Sequence, residues 1–131
     1  SKPNMGKETP FEQNDLTSDF DRYKRTQRLV RKYPNIRLWG VTNSWVEAAK
    51  KNILKTRKDG WAESIETKFL IINPIKDKVV DSNKTIKMAK RLPNCKIINV
   101  NNIEHEILME KDVYRNMFWS LFDDFLNSLK I

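Results

Sequence analysis

Cysteine is almost absent. Cys95 stands alone in 131 residues, so no internal disulfide can staple the fold, which suits a reducing compartment. Long apolar runs are missing as well. The longest, Phe69 to Ile72, falls far short of the ~20 residues a membrane-spanning helix needs. No signal peptide is visible. No initiator Met precedes Ser1, so the native N-terminus is expected to lie elsewhere. Zinc-ligand pairs, an RNA-binding sheet signature and a basic leucine-zipper pattern are all lacking.

What the chain does have is aromatic and aliphatic mass, including four Trp and six Phe. That excludes a disordered polymer and allows one ordinary domain. The net charge is +8 and the isoelectric point is near 9.6. Three explanations are open: solvated helix faces, an anionic membrane surface, or nucleic acid. Each Lys or Arg near anionic lipid is worth ~1 kcal/mol. Nucleic acid is permitted by the charge but supported by no motif.

The organisation changes along the chain. Residues 1–14 are polar, with Pro3, Gly6 and Pro10, and read as a loose arm. A helix is expected from Ser18, with Phe20, Tyr23, Val30 and Tyr33 at roughly helical spacing among Arg22, Lys24, Arg25, Arg28, Arg31 and Lys32. Pro34 ends it. A second helix is expected near Ser44, where Ser44-Trp45-Val46-Glu47 has the form of a capping box. Trp45, Ala49 and Ile53 continue one face, and Asp59-Gly60 marks the turn after it. Then come two short apolar runs, Lys68 to Asn73 and Lys96 to Val100. Between them lies a helical stretch, Ser82 to Leu92, with Pro93 just beyond. Runs apolar on both faces, separated by a helix, read as a βαβ unit with parallel strands. A last helix is expected from Asp112 to Leu129, its broad apolar stripe (Val113, Met117, Leu121, Phe125) covering the sheet. Only two strands is few for a parallel sheet, which suggests that part of the domain is missing.

Asp77 follows the first strand by a few residues, and His105 follows the second. Parallel neighbouring strands bring both loops to one carboxyl-terminal edge, where open α/β sheets build their sites. There the carboxylate can hold one ring nitrogen and leave the other as a general base. Each residue alone has a simpler reading, as a turn former or a solvated side chain. Their matched positions favour a pair.

The segment His105-Glu106-Ile107-Leu108-Met109-Glu110-Lys111-Asp112, followed by Arg115, resembles the end of the bacterial lysophospholipase and monoacylglycerol-lipase-like serine hydrolases. Asp77-Lys78-Val79-Val80-Asp81 is similar to that family's Asp-x-Val-Val-Asp element. Asn14-Asp15-Leu16-Thr17-Ser18, Arg22-Tyr23, and Thr42 with Trp45 resemble its cap segment. The resemblance implies Asp77 as triad acid and His105 as general base, with no metal or organic cofactor. Glu106, Glu110 and Asp112 would cap and anchor the last helix, since its dipole favours carboxylates at the N-terminus, and Arg115 would pair with one of them. Tyr23, Trp39 and Trp45 would line an acyl or head-group pocket, or fill the cap core. The chain departs from the family where small residues are usual, with Asn102-Ile103-Glu104 before His105 and Asn73-Pro74-Ile75-Lys76 before Asp77. The family's nucleophile sits in a Gly-x-Ser-x-Gly turn. Gly6, Gly40 and Gly60 flank no serine in that way.

The fold class expected is therefore α/β: the C-terminal part of an α/β-hydrolase, with an arm (1–14), a helical cap segment (15–60) and a βαβα part (61–131). The resemblance implies a parent enzyme cleaving carboxylic esters of lysophospholipids or monoacylglycerols, cytoplasmic or peripheral to the inner face of a bacterial membrane. The chain alone is expected to be inactive. An alternative is a non-catalytic remnant that self-associates through an exposed sheet edge. A basic nucleic-acid-binding protein is a third.

Overall fold

A computed structural model describes residues 9–37 and 40–129. Six main elements follow one another: α1 (Phe20–Lys32), α2 (Asn43–Thr56), β1 (Phe69–Pro74), α3 (Ser82–Ala89), β2 (Cys95–Val100) and α4 (Asp112–Ser128). Short 3-10 helices occupy Phe11–Gln13, Pro34–Ile36 and Ile107–Met109. None of the described helices is long and apolar enough to cross a membrane.

β1 and β2 pair in parallel, from Phe69 opposite Cys95 to Pro74 opposite Val100. The crossover is α3, as the strand–helix–strand pattern predicts. Asp81 caps α3 by accepting from the backbone N–H groups of Asn83 and Lys84, two of the donors a helix start leaves unpaired. The Ser82 hydroxyl donates to the Pro74 carbonyl, tying the helix start to the end of β1. α3 stops at Ala89, earlier than Leu92. Arg91 and Leu92 donate instead to the Met88 and Ala89 carbonyls, the tight i→i+3 pattern common at helix ends.

Three expectations need correction. Residues 11–13 of the arm are structured, because the Phe11 ring packs edge-on against Phe20 at 5.2 Å and against Tyr23 at 5.5 Å. The cap of α2 is Thr42, whose side chain accepts from the Trp45 N–H. Ser44 lies inside the first turn, and Glu47 pairs with Lys51 one turn on, so no capping box forms. The stripe of α4 covers the sheet only in part: α4 packs on β1 and on the 3-10 helix at Ile107–Met109, while Val113 is 66% exposed.

The core is small. Tyr23, Ala62, Ala89, Val100 and Ile103 are the buried apolar residues among those described. α2 buries none of its residues, and Trp45, Val46, Ile53 and Leu54 are exposed. Phe20, Leu29 and Tyr33 of the α1 region are exposed as well.

Candidate active site

Two loops at the carboxyl-terminal edge of the sheet form the site. After β1, the chain turns at Asp77, whose N–H donates to the Pro74 carbonyl. After β2, it turns at Asn102, which takes the left-handed conformation with φ 61°, an arrangement Asn tolerates better than most residues. Ile103 is then buried, which fixes the loop from beneath. These residues replace the small ones expected there, yet the loops still meet.

His105 Nδ1 lies 2.8 Å from Asp77 Oδ2. The Asp77 side chain is 1% exposed and that of His105 is 32% exposed. The carboxylate is further held through Oδ1, which accepts from the N–H groups of Val79 at 2.7 Å and Val80 at 3.0 Å. Burial pushes the Asp77 carboxyl up, but the bond from His105 and the Val80 and Val79 amides outweigh it, so its pKa lies below the ordinary value. An ionised Asp77 accepts the Nδ1 proton, and the lone pair is then on Nε2. That arrangement suits proton transfer to and from a nucleophile on the exposed side of the ring.

The segment before α1 lies along the His105 loop. The N–H groups of His105 and Glu106 donate to the carbonyls of Asp15 and Leu16 at 3.4 and 2.8 Å. The Thr17 hydroxyl donates to the Met109 carbonyl at 2.6 Å. Lys78 Nζ joins the three segments, 3.1 Å from Asp15 Oδ1 and 3.9 Å from Glu104 Oε2. Arg22 of α1 reaches the Glu110 carbonyl at 2.6 Å, Asp19 at 2.7 Å and Asp112 at 2.5 Å. Its hydrogen bond and charge hold the Asp112 carboxyl below the usual range.

The acids after His105 divide. Asp112 sits in the first turn of α4, where the dipole favours it, and Arg115 lies 3.5 Å from it. Glu106 is exposed. Glu110 does not cap α4, because it is fully buried and its carboxylate is turned towards Ser18 and Glu104. Its importance escaped the sequence reading. Nothing in its neighbours announces that burial: Ile107, Leu108 and Met109, just before it, are not buried themselves, and Leu108 is 45% exposed. Of the aromatic candidates, Tyr23 is buried and its hydroxyl donates to the Thr9 carbonyl, a core role. Trp45 is 59% exposed, and Trp39 lies outside the described residues.

Two grooves lie elsewhere. One runs along α1 past Arg22, Arg25, Arg28 and Lys32, and the other lies between α2, β1 and α3. Neither is lined by Asp77 or His105. Among the described residues, no three His, Cys, Asp or Glu side chains gather to hold a metal ion.

Residues 3–112 match a family model described as serine aminopeptidase, S33. The chain is also 34% identical, over 117 residues, to a probable lysophospholipase L2 of Haemophilus influenzae. That match covers 89% of this chain and 37% of the relative, so the chain spans little more than a third of the relative's length. No solved structure matches. The parallel pair with its crossover helix and the extent of the family match agree: this chain belongs to the serine aminopeptidase (S33) family of α/β-hydrolases.

Proposed function

We propose that Asp77 and His105 are the acid and base of a Ser-His-Asp triad in an enzyme that cleaves carboxylic esters of lysophospholipids or monoacylglycerols, the serine coming from sequence outside these 131 residues. The observation that carries this reading is the 2.8 Å contact between His105 Nδ1 and the buried carboxylate of Asp77. The lysophospholipid follows the name of the Haemophilus relative, a probable lysophospholipase, and the monoacylglycerol follows the resemblance carried by the His105 segment. Asp77 holds the ring in the tautomer with the proton on Nδ1. His105 Nε2 then takes the proton of the serine hydroxyl as its oxygen attacks the ester carbonyl, and returns it to the leaving alcohol oxygen. Water releases the acyl-serine by the same route in reverse.

The chain contains no Gly-x-Ser-x-Gly. Alone it is expected to hydrolyse no lysophosphatidylcholine and to take up no fluorophosphonate at any serine. The reading frame extended upstream is expected to supply a serine that labels and hydrolyses, with the activity lost in His105→Ala. Full activity in His105→Ala, or upstream sequence with no such serine, would end this reading.

A second reading is favoured by the exposed apolar residues of α1 and α2 and by the outer edges of β1 and β2, which pair with no further strand among the described residues: the chain binds without catalysing and associates with itself. A sedimentation coefficient that stays monomeric at high concentration counts against it. The basic α1 would seat either form on anionic lipid at the inner face of a bacterial membrane.

A further inference from the structure

A carboxylate with no part in proton transfer is buried close to the pair. Glu110 is 0% exposed. Its Oε1 accepts from the N–H groups of Ser18 and Glu104, both at 2.9 Å. Its Oε2 accepts from the Ser18 hydroxyl at 2.5 Å and from the Lys111 N–H at 3.4 Å. Burying a carboxylate is costly unless donors surround it. A Leu would fill the same space without that cost, so the donors are the reason for an acid here. Apart from the adjacent Lys111 N–H, they come from two segments: the turn leading into α1, and the loop that carries His105. Glu104 is the immediate neighbour of His105, and that loop is also joined to the same turn through Asp15 and Leu16.

We propose that Glu110 is a positioning residue for His105, locking the imidazole loop to the segment that leads into α1, so that the seat of α1 governs the Asp77–His105 contact. Its bearing on hydrolysis rests on the triad reading, but the positioning itself does not. Glu110→Ala removes four bonds at once and leaves the Ser18 and Glu104 amides without acceptors. Glu110→Gln can keep the Ser18 and Glu104 amide bonds through its oxygen and gives up the long Lys111 bond, while the Ser18 hydroxyl turns to accept from the new amide. The two variants therefore separate the acceptor role from mere volume.

The test uses the 131-residue chain itself. It has a single histidine, so the imidazole resonances need no disentangling. In the native chain the Nδ1 proton should be seen, shifted downfield and slow to exchange. In Glu110→Ala that resonance should be lost while the β1–β2 amides stay protected, and in Glu110→Gln it should return. An unchanged resonance in folded Glu110→Ala overturns the proposal, as does an equal loss in Glu110→Gln. If Glu110→Ala does not fold, Ser18→Ala removes only the hydroxyl bond. Faster exchange of the Nδ1 proton is then expected, and an unaltered rate overturns the proposal. None of these readouts involves ester hydrolysis, so this inference and the proposed activity fail separately.

Discussion

Asn73 and Asn99 face one another across the parallel strands, and Asn73 Nδ2 donates to Asn99 Oδ1 at 2.9 Å. Asn73 is 2% exposed, so its amide depends on this partner. A one-residue slip would break the pair and leave the buried Asn73 amide without its partner. Asn99→Ala strands a buried donor and is expected to cost about 1–3 kcal/mol. Urea unfolding followed by circular dichroism measures this; no loss of midpoint would mean that the pair does not hold the register.

The low pKa of Asp77 sets a pH dependence. Because its folded value lies below its ordinary one, its contribution to stability is present above an ordinary carboxyl pKa of about 4. It is lost as pH falls through the lower folded value. Asp77→Asn should therefore flatten the fall in urea midpoint below that pH, relative to the native chain. Parallel profiles for the two proteins would remove Asp77 as a source of acid sensitivity.

In the proposed enzyme, Asp77→Asn should also reduce the turnover of lysophosphatidylcholine by about 10⁴, the loss expected when the base is left in the wrong tautomer. Substrate affinity should change little, since the carboxylate is buried behind the ring. Steady-state kinetics that showed only a raised KM would assign Asp77 to binding instead.

Arg91 fastens the end of α2 to α3. It donates to both Glu63 oxygens, at 2.8 and 3.1 Å, and to the carbonyls of Lys58 and Thr56, at 2.6 and 3.3 Å. The Arg91 hydrogen bond is the main cause of a Glu63 pKa lowered to about 2. Lys cannot reproduce this planar fork, so Arg91→Lys should speed amide exchange in α2 and leave β1 and β2 protected. Equal protection of α2 in the variant would show that its anchor lies elsewhere.

α1 carries Arg22, Lys24, Arg25, Arg28, Arg31 and Lys32 against a single acid, Asp21. Binding to vesicles of anionic lipid is expected, weakening steeply with salt as the charges are screened. Replacing Arg25 and Arg28 by Gln should weaken it further, because neither belongs to the Arg22 cluster. Binding indifferent to salt would point to the exposed apolar residues rather than to charge.

Much of this arrangement was readable from periodicity and topology. Phe69 to Ile72 and Ile97 to Ile98 are apolar on consecutive positions, as strands covered on both faces must be, and Ser82 with Pro93 bracketed the helix between them. Parallel strands then brought Asp77 and His105 to one edge without any knowledge of side chains. Contacts between distant segments left no comparable pattern. Nothing local in Ser18 or Glu110 announces that they meet, since their bonds span a separation of 92 residues. Thr42 took the cap from Ser44 because both residues can accept from a helix N–H, and the choice depends on where the preceding chain enters. The α4 stripe was legible as apolar, but a sequence cannot say how much surface awaits it, and Val113 stays 66% exposed.

The small core has a thermodynamic consequence. Of the five buried apolar residues among those described, two are alanines, so unfolding exposes little new hydrocarbon. Both the heat-capacity increment and the denaturant slope scale with that area. The chain is therefore expected to melt gradually, α2 loosening before the strand pair, rather than in one sharp step. Any polypeptide that covers the open faces will steepen the curve, and the gain in slope measures how much surface it covers.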